Sequence, residues 1–230
     1  MSWSSGLNIL LLCLIIPSFV LLTLLNFTNV DIVRHKVEEN PTYDVPSMSM
    51  VIGTHGIFTD SFDKSQIGYV SFSECGSDAD FADDGLIFFD KMCKSHAILM
   101  RYITAAFILS FFVMSTLGVF LFIMRKTSTI LNSKIRILFF FVVFISVGSM
   151  ITNILLFLQV GFFKGDAEKN FIAATINPSS QIVFKSSYVP SIMTYTGFPL
   201  VLQSCMLLTL LLFYFKVVMN AQGYEQFGRA

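Results

Sequence analysis

Four long runs of apolar residues constrain this chain more than anything else in it. The first covers residues 7–27 and reads LNILLLCLIIPSFVLLTLLNF; the others cover 97–124, 137–163 and 192–218. A helix needs about 20 apolar residues to cross a hydrocarbon core of about 30 Å. Each run reaches that length, and no other stretch does. The runs are continuously apolar, whereas the strands of a membrane barrel alternate. Helices satisfy their own backbone in lipid, so the runs read as helices. The expected fold class is an all-α membrane protein: a four-transmembrane-helix bundle carrying a small disulfide-stapled, β-containing extracellular loop domain.

Composition agrees. Only 13% of residues are charged, against about 25% in soluble domains, and mean hydropathy is +0.72. The first run could be a cleaved signal peptide, but residues 1–6 hold no Lys or Arg and no small-x-small cleavage site follows. A retained first span is therefore expected, with Pro17 as a tolerated kink.

The formal net charge is zero, and the charges are sorted along the chain. Residues 125–136 carry Arg125, Lys126, Lys134 and Arg136 and no acid. Short basic loops stay on the cytoplasmic side. Residues 28–96 carry twelve acids and five bases, a net of minus seven. Residues 164–191 are mixed. Four spans then put the N-terminus with helix one (1–27), the basic loop (125–136) and the tail (219–230) in the cytoplasm. Loops 28–96 and 164–191 fall outside, and the plasma membrane is the expected location.

Cys75 and Cys93 share the large loop. In an oxidising compartment such a pair forms a disulfide, which for a closed loop of this size contributes on the order of 3 kcal/mol. Cys13 and Cys205 lie inside spans one and four and read as small packing residues. Within the loop, residues 50–58 and 66–72 read as two short strands, and 85–92 as a short helix leading into span two.

Chemistry is sparse. The acidic stretch DADFADD, with Asp78, Asp80, Asp83 and Asp84, is a candidate cation site, weighed against a plain solvated surface because its spacing does not fit an EF-hand. No other metal site and no cofactor is expected. Asn153, Gln159 and Gln203 lie within spans and read as helix–helix hydrogen-bonding groups. Gly118 and Gly148 read as points of close helix approach. The histidines His35, His55 and His96 form no catalytic motif, and GTHG around His55 reads as a turn. Asn26 opens a glycosylation pattern too close to span one to be used. No exposed basic stripe suggests nucleic acid. The chain therefore reads as no enzyme, with membrane lipids and either a second copy or another membrane protein as partners.

The segment Gly68-Tyr69-Val70-Ser71-Phe72-Ser73-Glu74-Cys75, followed by Cys93 inside a four-span layout, resembles the claudin superfamily. The fungal PalI, eisosomal Sur-type and mating-induced claudin-like branch is the most similar. The tight Gly-Leu-Trp-x-x-Cys form of animal claudins is not present, and Trp3 is the sole tryptophan. The resemblance implies a protein that organises membrane domains or mediates cell-surface contact and signalling through its outer loop, with Gly68, Tyr69, Val70 and Phe72 in the loop motif. The alternative is an accessory subunit of a channel, transporter or enzyme complex.

Overall fold

The structure, a computed structural model, describes residues 5–37, 48–61, 68–75, 83–127, 133–175 and 184–227. In chain order they form α1 (Ser5–Phe27), β1 (Asp31–Val37), β2 (Met48–Gly53), β3 (Gly56–Ser61), β4 (Gly68–Ser71), a 3-10 turn (Phe72–Glu74), α2 (Asp83–Thr127), α3 (Ser133–Thr175), β5 (Phe184–Tyr188) and α4 (Pro190–Phe227). Among these residues four helices are long and apolar enough to cross a membrane. The protein is an all-α integral membrane protein with a small antiparallel sheet.

Helix lengths follow from the sequence. The 23 residues of α1 contain no charge, so nothing interrupts it. Pro17 sits inside α1 and Pro199 inside α4; membrane helices accommodate proline because neighbouring groups re-satisfy the freed carbonyls. Pro190 opens α4, where a missing N–H costs nothing. The 45 residues of α2 extend about 67 Å at 1.5 Å per residue, more than twice a hydrocarbon core. Residues 85–92 are accordingly not a separate short helix but the first turns of α2.

The chain divides into two compact units. The bundle unit comprises Met1–Thr23, Ala105–Ile154 and Gly197–Ala230. All four helices contribute to its core: Leu11 and Ile15 from α1, Val113, Leu117 and Phe120 from α2, Phe139 and Val142 from α3, Met206 and Leu210 from α4. Its outward residues are also large and apolar, including Phe122, Ile137 and Phe144. In water such a surface would drive aggregation; on a membrane-spanning bundle it is the lipid-facing surface.

The sheet unit comprises Leu24–Thr104 and Leu155–Thr196. Its five strands run in the order β4-β3-β2-β1-β5, every neighbouring pair antiparallel. Alternation along β1 turns Val33 and His35 inward and Arg34 and Lys36 outward. A register shift between Asp31 and Val33 lets Ile32 be buried as well. Met50, Ile52 and Ile57 complete the buried face.

Three strand expectations change. Residues 50–58 are not one strand but a hairpin, β2 turning into β3 at Thr54 and His55. The expected strand at 66–72 is reduced to β4, followed by the 3-10 turn; Gln66 and Ile67 lie outside the described residues. β1 and β5 were not expected, and β5 comes from the second loop to pair with β1. Its sequence, FKSSY, shows little apolar alternation, so only the pairing reveals it.

Candidate functional site

The β2–β3 turn organises the sheet unit. Its Thr54 binds the chain leaving α1 three times. Thr54 N donates to the Val30 carbonyl at 2.9 Å, Val30 N donates to Thr54 Oγ1 at 2.9 Å, and Oγ1 donates to the Thr28 carbonyl at 3.0 Å. That last bond uses the single hydroxyl proton. His55 Nδ1, 2.9 Å from Oγ1, therefore carries its own proton and donates. His55 N donates to Asn29 Oδ1 at 3.1 Å, and His96 Nε2 of α2 donates to the Thr54 carbonyl at 2.7 Å. The His55 carbonyl receives Phe72 N at 2.9 Å and the Tyr69 hydroxyl at 3.3 Å. Two of the three histidines thus each hold one ring nitrogen in a scaffold hydrogen bond.

The glycines flanking this turn are required by close approach. A Cβ on Gly53 would run into the Asn29 amide. One on Gly56 would lie 2.5 Å from the Val70 carbonyl oxygen and 2.7 Å from the Tyr69 ring. The GTHG stretch is a turn because its neighbours leave no room for side chains on either side.

Cys75 and Cys93 are bonded, tying the 3-10 turn to α2. Phe72 stacks on His96 with centroids 4.0 Å apart and on Phe89 at 6.0 Å. Phe89, Cys93 and His96 are spaced 4 and 3 along α2 and so share one helix face. The loop motif is divided by this arrangement. Gly68, Tyr69 and Val70 form β4, Val70 is half-buried, and Phe72 is buried under α2.

Across the other face of the sheet runs one row of paired residues: Tyr69, Phe58, Val51, Arg34 and Ser187. All but half-buried Val51 are exposed, with Tyr69 at 53% and Phe58 at 43%. Two large aromatic side chains directly opposite each other on a solvated face are the least water-compatible feature of the sheet.

His35 lies on the buried face and is fully shielded from solvent. Burial, and secondarily the charge of Lys164, lowers its pKa from 6.5 to about 4.

The side chains of the candidate cation residues fall outside what the structure describes. Asp78 and Asp80 lie outside the described residues; Asp83 and Asp84 open α2, with side chains likewise outside them. Among the described residues no three metal-ligating side chains come together. Asn26 lies in the last turn of α1, where its Oδ1 accepts from Thr104 Oγ1 at 3.3 Å.

The bundle unit holds a second polar constellation, centred on Gln203 of α4. Its Oε1 accepts from Ser149 Oγ and Asn153 Nδ2 of α3, each at 2.9 Å. Its Nε2 donates to Ser18 Oγ of α1 at 3.0 Å and Ser110 Oγ of α2 at 3.2 Å. One buried amide thereby joins all four helices with its hydrogen-bonding capacity filled. Asn153 Nδ2 also donates to the Ser149 carbonyl at 3.0 Å, while its Oδ1 is buried with no donor among the described residues. Gln159 takes no part and is half-buried elsewhere on α3. Ser18 and Ser110 were missed by sequence reading: a lone serine in an apolar run usually bonds its own helix, as Ser146 and Ser204 do here.

Two packing expectations are corrected. Cys13 and Cys205 are exposed on their helices, not packed in the core. A Cβ on Gly118 or Gly148 would meet nothing within 4 Å, so neither glycine mediates a close approach within the chain. Arg125, Lys126, Lys134 and Arg136 are exposed at the ends of α2 and α3, with the Lys126 ammonium 4.8 Å over the Phe122 ring.

Compared with protein-family models the chain matches none, and compared with curated proteins it likewise matches none.

Proposed function

We propose that the chain is a claudin-type protein of the plasma membrane, with both termini in the cytoplasm, that organises membrane domains or cell-surface contacts through its sheet unit. It is a contact protein and not an enzyme. The observation that carries this reading is the exposed row from Tyr69 and Phe58 to Arg34. Aromatic and arginine side chains are the types that anchor protein contacts. Here they stand on a sheet braced by a disulfide, so a partner meets a preorganised surface. The Gly68–Cys75 segment and the four-span layout support the family reading, and the basic 125–136 loop supports the orientation.

The test is the Phe58→Ser/Tyr69→Ser double variant of the full chain, tagged in cells. Its side chains face solvent, so the Cys75–Cys93 bond and membrane insertion should persist. Crosslinking with a membrane-impermeant reagent should yield at least fivefold less of the chain's surface complexes. Undiminished crosslinking would reject the row as the contact surface. Failure of the reagent to reach the wild-type sheet unit would reject the orientation. A single large partner at fixed ratio would favour the accessory-subunit alternative.

A further inference from the structure

The constellation around Gln203 fixes the orientation of its own amides. Asn153 Nδ2 lies 3.0 Å from the Ser149 carbonyl oxygen and 2.9 Å from Gln203 Oε1. Turning the Asn153 amide over would set Oδ1 against that carbonyl, oxygen to oxygen. The Ser149 carbonyl therefore fixes Asn153, and Asn153 in turn fixes Gln203, whose Oε1 must face Nδ2. One imbalance remains. Asn153 is fully buried, and its Oδ1 has no donor among the described residues.

Two donors of the same constellation are unspent. Ser18 Oγ and Ser110 Oγ, both fully buried, each accept from Gln203 Nε2, so each keeps its own hydroxyl proton. Ser146, Ser204 and Thr209 give theirs to the carbonyl four residues back in their own helices. Among the described residues Ser18 and Ser110 make no such bond, and neither bonds Asn153 Oδ1 directly. An acceptor without a donor and two hydroxyls without an acceptor thus meet around one side chain.

All five side chains belong to the bundle unit. Lipid outside the helices offers no hydrogen bonds, so the mismatch has to be repaired from within. A molecule that both donates and accepts repairs it. The constellation consists of serines and amides with no carboxylate, so a cation would enter without a counter-charge, at a large desolvation cost. An uncharged ligand fits. Buried waters bridge groups of this kind with about three hydrogen bonds each. We propose that the centre of the bundle unit is a binding site for one water molecule, which donates to Asn153 Oδ1 and accepts from the hydroxyls of Ser18 and Ser110. The water then joins α1 and α2 to α3 by a route separate from the Gln203 amide.

The experiment is a crystal structure of the full chain, grown from a lipid phase with sodium as the monovalent cation and resolved well enough to show ordered waters. A density peak should stand about 2.8 Å from Asn153 Oδ1 and within hydrogen-bonding distance of the Ser18 and Ser110 hydroxyls. Crystals of Ser18→Ala/Ser110→Ala should lose that peak while Gln203 keeps its bonds to Ser149 and Asn153. A protein donor directly on Oδ1 in the wild-type structure, or no peak beside it, would overturn the site. Anomalous scattering from the peak in crystals grown with rubidium in place of sodium would overturn water in favour of a cation. An unchanged peak in the double variant would overturn the serines as its donors. Should that variant not fold, the two single variants decide: each should weaken or shift the peak, and a peak unmoved by both overturns the serines' part.

Discussion

The bundle unit and the sheet unit solve the problem of polar groups in opposite ways. The bundle unit contains six Lys or Arg and one Asp or Glu; the sheet unit contains nine and fourteen. One is net positive by five and the other net negative by five, which is why the whole chain appears neutral. In the bundle unit the buried polar side chains other than Ser146 converge on the single side chain of Gln203. In the sheet unit they are spread over backbone ladders and the Thr54–His55 turn. The glycines divide the same way, cramped at Gly53 and Gly56 and open at Gly118 and Gly148. Identical residue types thus do different work according to whether helices or strands surround them.

The largest test of this contrast is Gln203→Leu. It removes four hydrogen bonds at once and leaves Asn153 and Ser149 buried without their shared acceptor. Interhelical bonds in membranes are each weak, but stranded buried groups add their own cost, for a total on the order of 4 kcal/mol. Detergent unfolding of the helices should show that loss, while the Cys75–Cys93 bond still forms. A loss under 1 kcal/mol would mean that the bundle is held by apolar packing alone.

Acid should act on the other unit. The folded pKa of His35 is lowered to about 4 from an ordinary 6.5. The unfolded chain therefore binds the proton first, and the sheet's stability is complete above about pH 6.5. It declines as pH falls from there toward 4, by about 3 kcal/mol. Hydrogen exchange of strands β1 and β2, corrected for intrinsic rates, measures this. His35→Leu should flatten the decline across that window, and an unchanged slope would place the acid response elsewhere.

The smallest effects separate the glycines. Gly56→Ala forces a methyl against the Val70 carbonyl and should cost about 2 kcal/mol of sheet stability. Gly118→Ala and Gly148→Ala meet open space on helices and should be neutral or stabilising by under about 1 kcal/mol. Thermal unfolding of the three variants checks both signs. A destabilised Gly148→Ala would point to a neighbour outside this chain seated against α3.

The spans were legible because twenty consecutive apolar residues admit few alternatives in water or lipid. The cysteine pair was legible because the two thiols share one loop. Harder to read was everything depending on what a residue faces. Met50 to Phe58 is apolar on both sides of its glycines, so period alone could not separate one strand from a hairpin. Cys13, Cys205, Gly118 and Gly148 were assigned to packing by residue type, yet their helix faces turn outward.

Local chemistry along the chain was enough for the four helices, the charge division and the disulfide, since each depends on composition within a segment or on shared location. The five-stranded order, with β5 completing a sheet begun some 150 residues earlier, required long-range pairing between two loops. So did the meeting of Ser18, Ser110, Ser149, Asn153 and Gln203, which come from four helices. A serine or an amide in an apolar run has the same local sequence whether it bonds its own backbone or a distant helix. Packing chooses between them, because only in the folded bundle is there a partner within reach.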